Sequence, residues 1–150
     1  MSASGKPHSE SGVSTYLNFM GNTLEAFEFY RDVFCTEFRG EVLRNRDVPG
    51  MPDTMTEVDL DSIMHIELPI LGGHVIMATD MLESMGHALT VGNNTTINLE
   101  PDTREETERL FSRLSEGSTE VAPLQDTFWG YWGCCLDRFG IRWMFNGPTS

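Results

Sequence analysis

Lysine is almost missing from this chain. Lys6 stands alone beside nine arginines and against 23 acidic residues, giving a formal net charge of −13 over 150 residues. So acidic a chain repels polyanions, which excludes nucleic acid and anionic membrane surfaces as partners. Cysteine is scarce as well: Cys35 is isolated, and the neighbours Cys134 and Cys135 would point to opposite faces of any strand. An odd count without metal-type spacing argues against a disulfide framework and against a cysteine-built zinc site, so free thiols are expected. No apolar run approaches the length of a membrane span, and the first twenty residues lack a positive segment followed by an apolar one. The expectation is a cytoplasmic protein. A Gly-x-Gly-x-x-Gly stretch is also missing, and with it the usual cradle for a dinucleotide or S-adenosylmethionine.

What remains is ordinary globular composition and enough chain for one domain. Residues 1–12 read as a flexible tail. Val13, Thr15, Leu17 and Phe19 then alternate with Ser14, Tyr16 and Asn18, the signature of a half-buried strand. Asn22 followed by Glu25 resembles a capping box, and Phe27, Tyr30 and Phe34 recur at helical spacing. Phe38 to Leu43 reads as a strand, and Asn45 to Ser62 as a long acidic loop of the kind that often forms a lid. Ile63 to Ile70 and His74 to Thr79 read as a hairpin about Gly72-Gly73, and residues 80–93 as loop. The pattern then starts again. Thr96 to Leu99 alternates, Asp102 or Thr103 caps a helix bearing Thr107, Leu110, Phe111 and Leu114, and three further strands follow to Asn146.

The two halves match below the level of pattern. Asn18 and Asn98 lie 80 residues apart, and the same offset pairs Leu17 with Ile97, Thr23 with Thr103, Tyr30 with Leu110 and Phe34 with Leu114. Val75 to Ala78 also answers Arg142 to Phe145. The fold class expected is α+β, two βαβββ modules (about 13–80 and 94–146) in one domain spanning 13–150. Each module covers one sheet face with its helix, so pairing lets the uncovered faces enclose a cleft. Candidate functional residues therefore lie on the faces away from the helices: Tyr16, Asn18, His65, Glu67, Met77, Thr96, Asn98 and Met144, with the aromatics that follow Gln125.

Those aromatics sit in the run Pro123-Leu124-Gln125-Asp126-Thr127-Phe128-Trp129-Gly130, followed by Tyr131-Trp132 and the closing Asp137-Arg138-Phe139-Gly140-Ile141-Arg142-Trp143-Met144. Together with Tyr16-Leu17-Asn18-Phe19, Gly21-Asn22, Phe29-Tyr30, Met64-His65 and Leu110-Phe111, these blocks resemble the PhnB-like branch of the vicinal oxygen chelate superfamily. That superfamily includes glyoxalase I, extradiol dioxygenases and bleomycin-resistance proteins. The resemblance covers about residues 13–146 and implies a glyoxalase-type fold and a homodimer. It fixes no reaction, because one fold hosts many chemistries.

Superfamily enzymes hold a divalent metal at positions that fall here at or beside Tyr16, Met77, Thr96 and Met144. Methionine is a soft neutral donor and threonine rarely serves alone, so no metal is expected at these positions. No other cofactor is expected either. His65 and Glu67, two apart on one strand, are the candidate catalytic pair, as a general acid and base or as part of an off-pattern metal site. The ligand-binding candidates are Tyr16, Asn18, Met77, Asn98, Gln125, Trp129, Trp132 and Met144. Aromatic and thioether groups suit a flat or flexible small organic molecule, and Glu67 with Asp126 would favour a cationic one. The leading expectation is a binding module, drug sequestration among its uses. The alternatives are a metal-dependent lyase, isomerase or dioxygenase of the glyoxalase class, and a dimeric scaffold without ligand. Members of the branch carry a 3-demethylubiquinone methyltransferase label, an activity not expected from a chain without a Rossmann run.

Overall fold

The structure is a computed structural model and describes residues 11–150. The expected tail lies outside the described residues except for Ser11 and Gly12, which are exposed and irregular. The first module comprises β1 (Thr15–Phe19), α1 (Thr23–Phe34), β2 (Leu43–Arg44), a short α2 (Glu57–Asp61), β3 (Ile63–Pro69) and β4 (Val75–Asp80). The second comprises β5 (Ile97–Leu99), α3 (Arg104–Leu114), β6 (Glu120–Asp126), β7 (Tyr131–Leu136) and β8 (Arg142–Gly147). Two four-stranded sheets result, ordered β1-β4-β3-β2 and β5-β8-β7-β6, each with its first strand parallel to its last. The paired βαβββ architecture is therefore present.

The helices form where apolar residues recur on one face. Ala26, Phe27, Tyr30, Val33 and Phe34 of α1 are buried, as are Thr107, Leu110 and Leu114 of α3. Full burial of a side chain the size of Phe27 or Leu110 contributes about 1.5–3 kcal/mol, which is what holds each helix on its sheet. Thr103 starts α3 as expected, its hydroxyl accepting from the Glu106 backbone N–H at 3.0 Å. The start of α1 differs from expectation. Asn22 occupies the capping position but makes no side-chain cap, and Asp80 at the end of β4 accepts from the Thr23 N–H at 3.0 Å instead. The second Asp80 oxygen accepts from the Ile63 N–H at 2.8 Å. One buried carboxylate thus joins the helix start to two strands.

Two further readings change. The strand expected over Phe38–Leu43 is confined to Leu43–Arg44, because Gly40 adopts a left-handed φ of 71° that breaks an extended run. The long loop over Asn45–Ser62 contains α2, whose Thr56 caps the Asp59 N–H at 3.1 Å. Arg46 pins that segment through Asp61 at 2.7 Å and Glu57 at 2.8 Å. Five residues are too few for an amphipathic period to be read from sequence.

The halves meet through their helix-bearing sides. Buried Trp143 of β8 packs edge-on to Tyr30 and tilted against Phe34 of α1, and α1 packs on α3. Buried Asp137 accepts from Tyr30 Oη at 2.5 Å, from Trp143 Nε1 at 2.8 Å, and from the backbone N–H groups of Phe139 and Ile141. The core is one cluster drawn from both modules. The sheet faces opposite the helices are left open, with Tyr16 49% exposed and Asn18 and Asn98 exposed. Pairing the halves within one chain therefore does not close a cleft over them, because the apolar surface to be hidden lies on the other side.

Candidate functional site

Strand alternation decides which residues share the open faces. In the first sheet Ile66, Leu68, Ile76 and Ala78 point to the helix and are buried, which sends His65, Glu67, Met77 and Thr79 outward. Tyr16 lies across from Met77, and Asn18 across from Thr79. In the second sheet Asn98, Met144 and Cys134 form one outward row, and Asn146, Trp132 and Gln125 the next. Here Met144 lies across from Asn98, whereas Met77 lies two residues back from Asn18, across from Tyr16. The sequence match between Met77 and Met144 is thus shifted by two in pairing register. A shift of two preserves the face, so both methionines still point outward.

The first outer face carries a continuous hydrogen-bonded chain. Tyr16 Oη lies 3.0 Å from His65 Nδ1, and His65 Nε2 lies 2.7 Å from Glu67 Oε2. Arg39 Nε donates to the other Glu67 oxygen at 2.7 Å, and the Arg39 backbone N–H donates to the Glu67 carbonyl. Burial opposes ionisation of Glu67, but the hydrogen bonds from His65 and Arg39 outweigh it and hold the carboxyl below its ordinary range. Burial and then the Glu67 charge push the Tyr16 phenol above its ordinary value. The candidate pair His65 and Glu67 is therefore brought together, and with Tyr16. Arg39 was not legible, since it comes from the irregular stretch before β2.

The second outer face carries a chain of different chemistry. Trp129 Nε1 donates to Asn146 Oδ1 at 3.0 Å, Asn146 Nδ2 to Asn98 Oδ1 at 2.6 Å, and Asn98 Nδ2 to Glu100 Oε2 at 3.0 Å. Asn146 and Glu100 were absent from the expected set. Each lies two residues beyond a candidate, Met144 or Asn98, so period-two alternation was the signal that could have found them. Glu100 has no cationic partner among the described residues. Asp126, expected to favour a cation in the cleft, is turned to the helix side and paired with Arg104 at 2.8 Å. Tyr131 shares that side, donating to Glu108 at 2.8 Å beneath the Arg104 guanidinium. Of the aromatics after Gln125, Trp132 is the strand residue on the open face, and Trp129 reaches its edge from the turn.

No one groove gathers all the candidates. Met144 and Thr96 line a groove of about 470 Å³ with Cys134 and Arg142. Tyr16 and Asn18 line one of about 300 Å³ beside residues 89–95. Asn98 faces one of about 230 Å³, and Trp129 an open depression with Glu100 and Asn146. His65, Glu67, Met77, Gln125 and Trp132 stand on the open faces outside these four grooves. At the superfamily metal positions the donors are a phenol already bonded to His65, two thioethers and the Thr96 hydroxyl. Such a set does not fit a hard or borderline divalent ion. Among the described residues no three of His, Cys, Asp and Glu converge on one point, and no helix is long and apolar enough to cross a membrane.

Comparison with known proteins agrees with the fold. The family model described as 3-demethylubiquinone-9 3-methyltransferase matches residues 11–145. Protein PA1353 from Pseudomonas aeruginosa superposes with a TM-score of 0.79 at 33% identity, covering 94% of this chain and 100% of that one. Protein YjdN from Escherichia coli is 29% identical over 143 residues, 89% of this chain and 93% of that protein. A PhnB protein from Bacillus cereus superposes with a TM-score of 0.73 at 21% identity, covering 92% and 100%. The fold alone extends to a glyoxylase/bleomycin resistance protein/dioxygenase domain from Frankia sp., with a TM-score of 0.59 at 15% identity over 96% and 100% of the two chains.

Proposed function

The chain belongs to the 3-demethylubiquinone-9 3-methyltransferase family and is a PhnB-like member of the vicinal oxygen chelate superfamily, and from that premise we propose that it binds a small organic molecule on its open sheet faces without the superfamily metal. One observation carries this reading. On both outer faces the polar side chains are already ordered by hydrogen bonds to one another, with thioether and indole surface beside them. Ordered polar anchors beside apolar area are what a binding surface needs, since little remains to be immobilised when the ligand arrives. Glu67 is charge-compensated by Arg39, whereas Glu100 is not, so a cationic end of the ligand belongs near Trp129 and Glu100.

The proposal includes a homodimer in the cytoplasm. A second copy would cover the faces that one chain leaves open, and Cys35, Cys134 and Cys135 are unpaired thiols. Methyl transfer, the activity in the family's name, is left out of it. A helix-on-one-side mixed sheet offers no βαβ switch point with a glycine-rich turn for S-adenosylmethionine.

Tryptophan fluorescence tests the reading, because Trp143 is fully buried and only Trp129 and Trp132 report on the faces. Titration with berberine, a flat aromatic cation, is expected to quench saturably in the micromolar range. Trp129→Ala and Glu100→Gln should each weaken it about tenfold, the size of one lost cation–aromatic or charge contact. Quenching that does not saturate, or that neither variant alters, would overturn the proposal. Micromolar S-adenosylmethionine binding in calorimetry would restore the methyltransferase reading.

A further inference from the structure

Tyr16, His65, Glu67 and Arg39 come from three separate segments, yet they are joined end to end at 3.0, 2.7 and 2.7 Å. Anchoring a ligand does not require that order. It does impose a direction on the protons. Glu67 is held ionised and can only accept, so in neutral His65 the imidazole proton sits on Nε2. Nδ1 then has only a lone pair, and the Tyr16 hydroxyl donates its proton there. The lone pairs of Tyr16 Oη are left for the solvent side, where the residue is 49% exposed.

The other tyrosines are arranged differently. Tyr30 donates to Asp137 in the core, and Tyr131 donates to Glu108 on the helix side. Each faces a carboxylate directly, with no imidazole between.

We propose that Tyr16 is a catalytic acid–base residue, activated by His65 and Glu67, that removes a proton from a weakly acidic O–H or C–H of the bound molecule. The X–H bond breaks, its electron pair stays on X, and the proton passes to Tyr16 Oη. In the same movement the Tyr16 O–H bond breaks toward His65 Nδ1, and the imidazolium so formed is held against the Glu67 carboxylate. Because burial and Glu67 disfavour a free phenolate, the two transfers run together. Return of the proton to a different atom of the same molecule gives an isomerisation, and loss of a leaving group from X⁻ gives an elimination. Neither needs an oxidant or co-reactant. His65, Glu67 and Arg39 act through Tyr16 as positioning and proton-holding groups. The inference rests on the outer faces being the ligand surface.

Its test needs no ligand. An aryl sulfonyl fluoride such as 4-acetamidobenzenesulfonyl fluoride is attacked by a base-assisted phenol. The O–S bond forms, fluoride leaves, and the phenolic proton goes to His65. Labelling of the whole chain, located by peptide mass spectrometry, should modify Tyr16 about tenfold faster than Tyr131. His65→Gln and Glu67→Gln should each slow labelling at Tyr16 about fivefold or more while leaving Tyr131 unchanged, as expected for loss of a base or of its orienting partner. Equal rates at Tyr16 and Tyr131, or a Tyr16 rate unmoved by the variants, would overturn the inference. Labelling of core Tyr30 would reveal an unfolded variant, and the other variant would then decide. Saturable berberine quenching without Tyr16 selectivity leaves a binder lacking this chemistry, whereas Tyr16 selectivity without quenching leaves the relay and removes the aromatic cation as ligand.

Discussion

On the open face of the first module stand a phenol, an imidazole, a carboxylate and a guanidinium; on that of the second stand an indole, two carboxamides and a carboxylate. The helix sides beneath them are built alike, with one amphipathic helix over a strand order that repeats, first strand parallel to last. Packing constrains the helix side, because a core residue must fit its neighbours to within a methylene. The outer face is free of that constraint, so its residues can differ between the copies without cost to the fold. What differs is whether protons can move: the first chain contains three titratable groups in sequence, and the second only Glu100 at its end. In the functions proposed above, the first is the proton-handling surface and the second the recognition surface.

The halves also differ in where each keeps its buried carboxylate. Asp80 serves its own module, joining Thr23 and Ile63, while Asp137 gathers donors from both, Tyr30 of α1 and Trp143 of β8 among them. Asp137→Ala should therefore have the largest effect on stability. It leaves four donors with no acceptor, and losing one partner of a buried charged network costs about 3–5 kcal/mol. Urea unfolding followed by far-ultraviolet circular dichroism would measure it. If Asp137→Ala costs no more than the corresponding Asp80 variant, the carboxylate does not join the modules.

Asp80→Ala should cost less, about 2–3 kcal/mol, because two backbone N–H groups lose their acceptor, one at a helix start. Asp80→Asn, which keeps an acceptor, should recover part of that. Amide hydrogen exchange would show loss of protection centred on the first turn of α1, with α3 unaffected because Thr103 caps it from within its own module. Equal loss in both helices would contradict the separate capping arrangements.

Asp80 also marks where sequence reading stops. All strands but β2, the two long helices and the repeat were legible because alternation and helical spacing are local, and most outer-face residues, though not Asn146 and Glu100, followed from parity. The α1 cap was not, since its acceptor lies 57 residues away and Asn22 offers a plausible local substitute. Trp132 and Tyr131 could not be told apart, because a register error of one residue exchanges their faces. Arg39 was hidden because the strand expected over Phe38–Leu43 breaks at Gly40, so its approach to Glu67 follows from no strand register. The joining of Tyr16 to His65 needs the β1–β4–β3 order, which the resemblance implied but no spacing in the chain encodes.

The strand ends below the two helices give a smaller contrast. The first module ends β4 in Asp80, and the second ends β8 in Gly147, where an added Cβ would collide with the Thr107 side chain of α3. Gly147→Ala should destabilise by about 1–3 kcal/mol, the usual range for overpacking a close contact. Thr107→Ala removes both the hydroxyl oxygen, which is the nearest atom, and the methyl, and should recover part of the loss in the double variant. Additive losses, read from urea midpoints, would show that helix α3 is not what excludes a side chain there.

The smallest expected effect separates the two outer faces by acid. The Glu67 carboxyl is held below its ordinary value, with burial opposing and the His65 and Arg39 hydrogen bonds prevailing. A depressed folded-state pKa stabilises the fold fully above the unfolded value, near 4.5, and that contribution disappears as pH falls through the folded value. The difference in unfolding free energy between the wild type and Glu67→Gln should therefore be flat above about pH 5 and shrink below it. Glutamine cannot ionise, so its own stability is indifferent to this step. Arg39→Gln, which leaves His65 in place, should make the shrinkage smaller and complete it at a higher pH, while its onset stays near the unfolded value. A loss in that background as large as the wild type's would mean that Arg39 rests beside Glu67 without setting its charge.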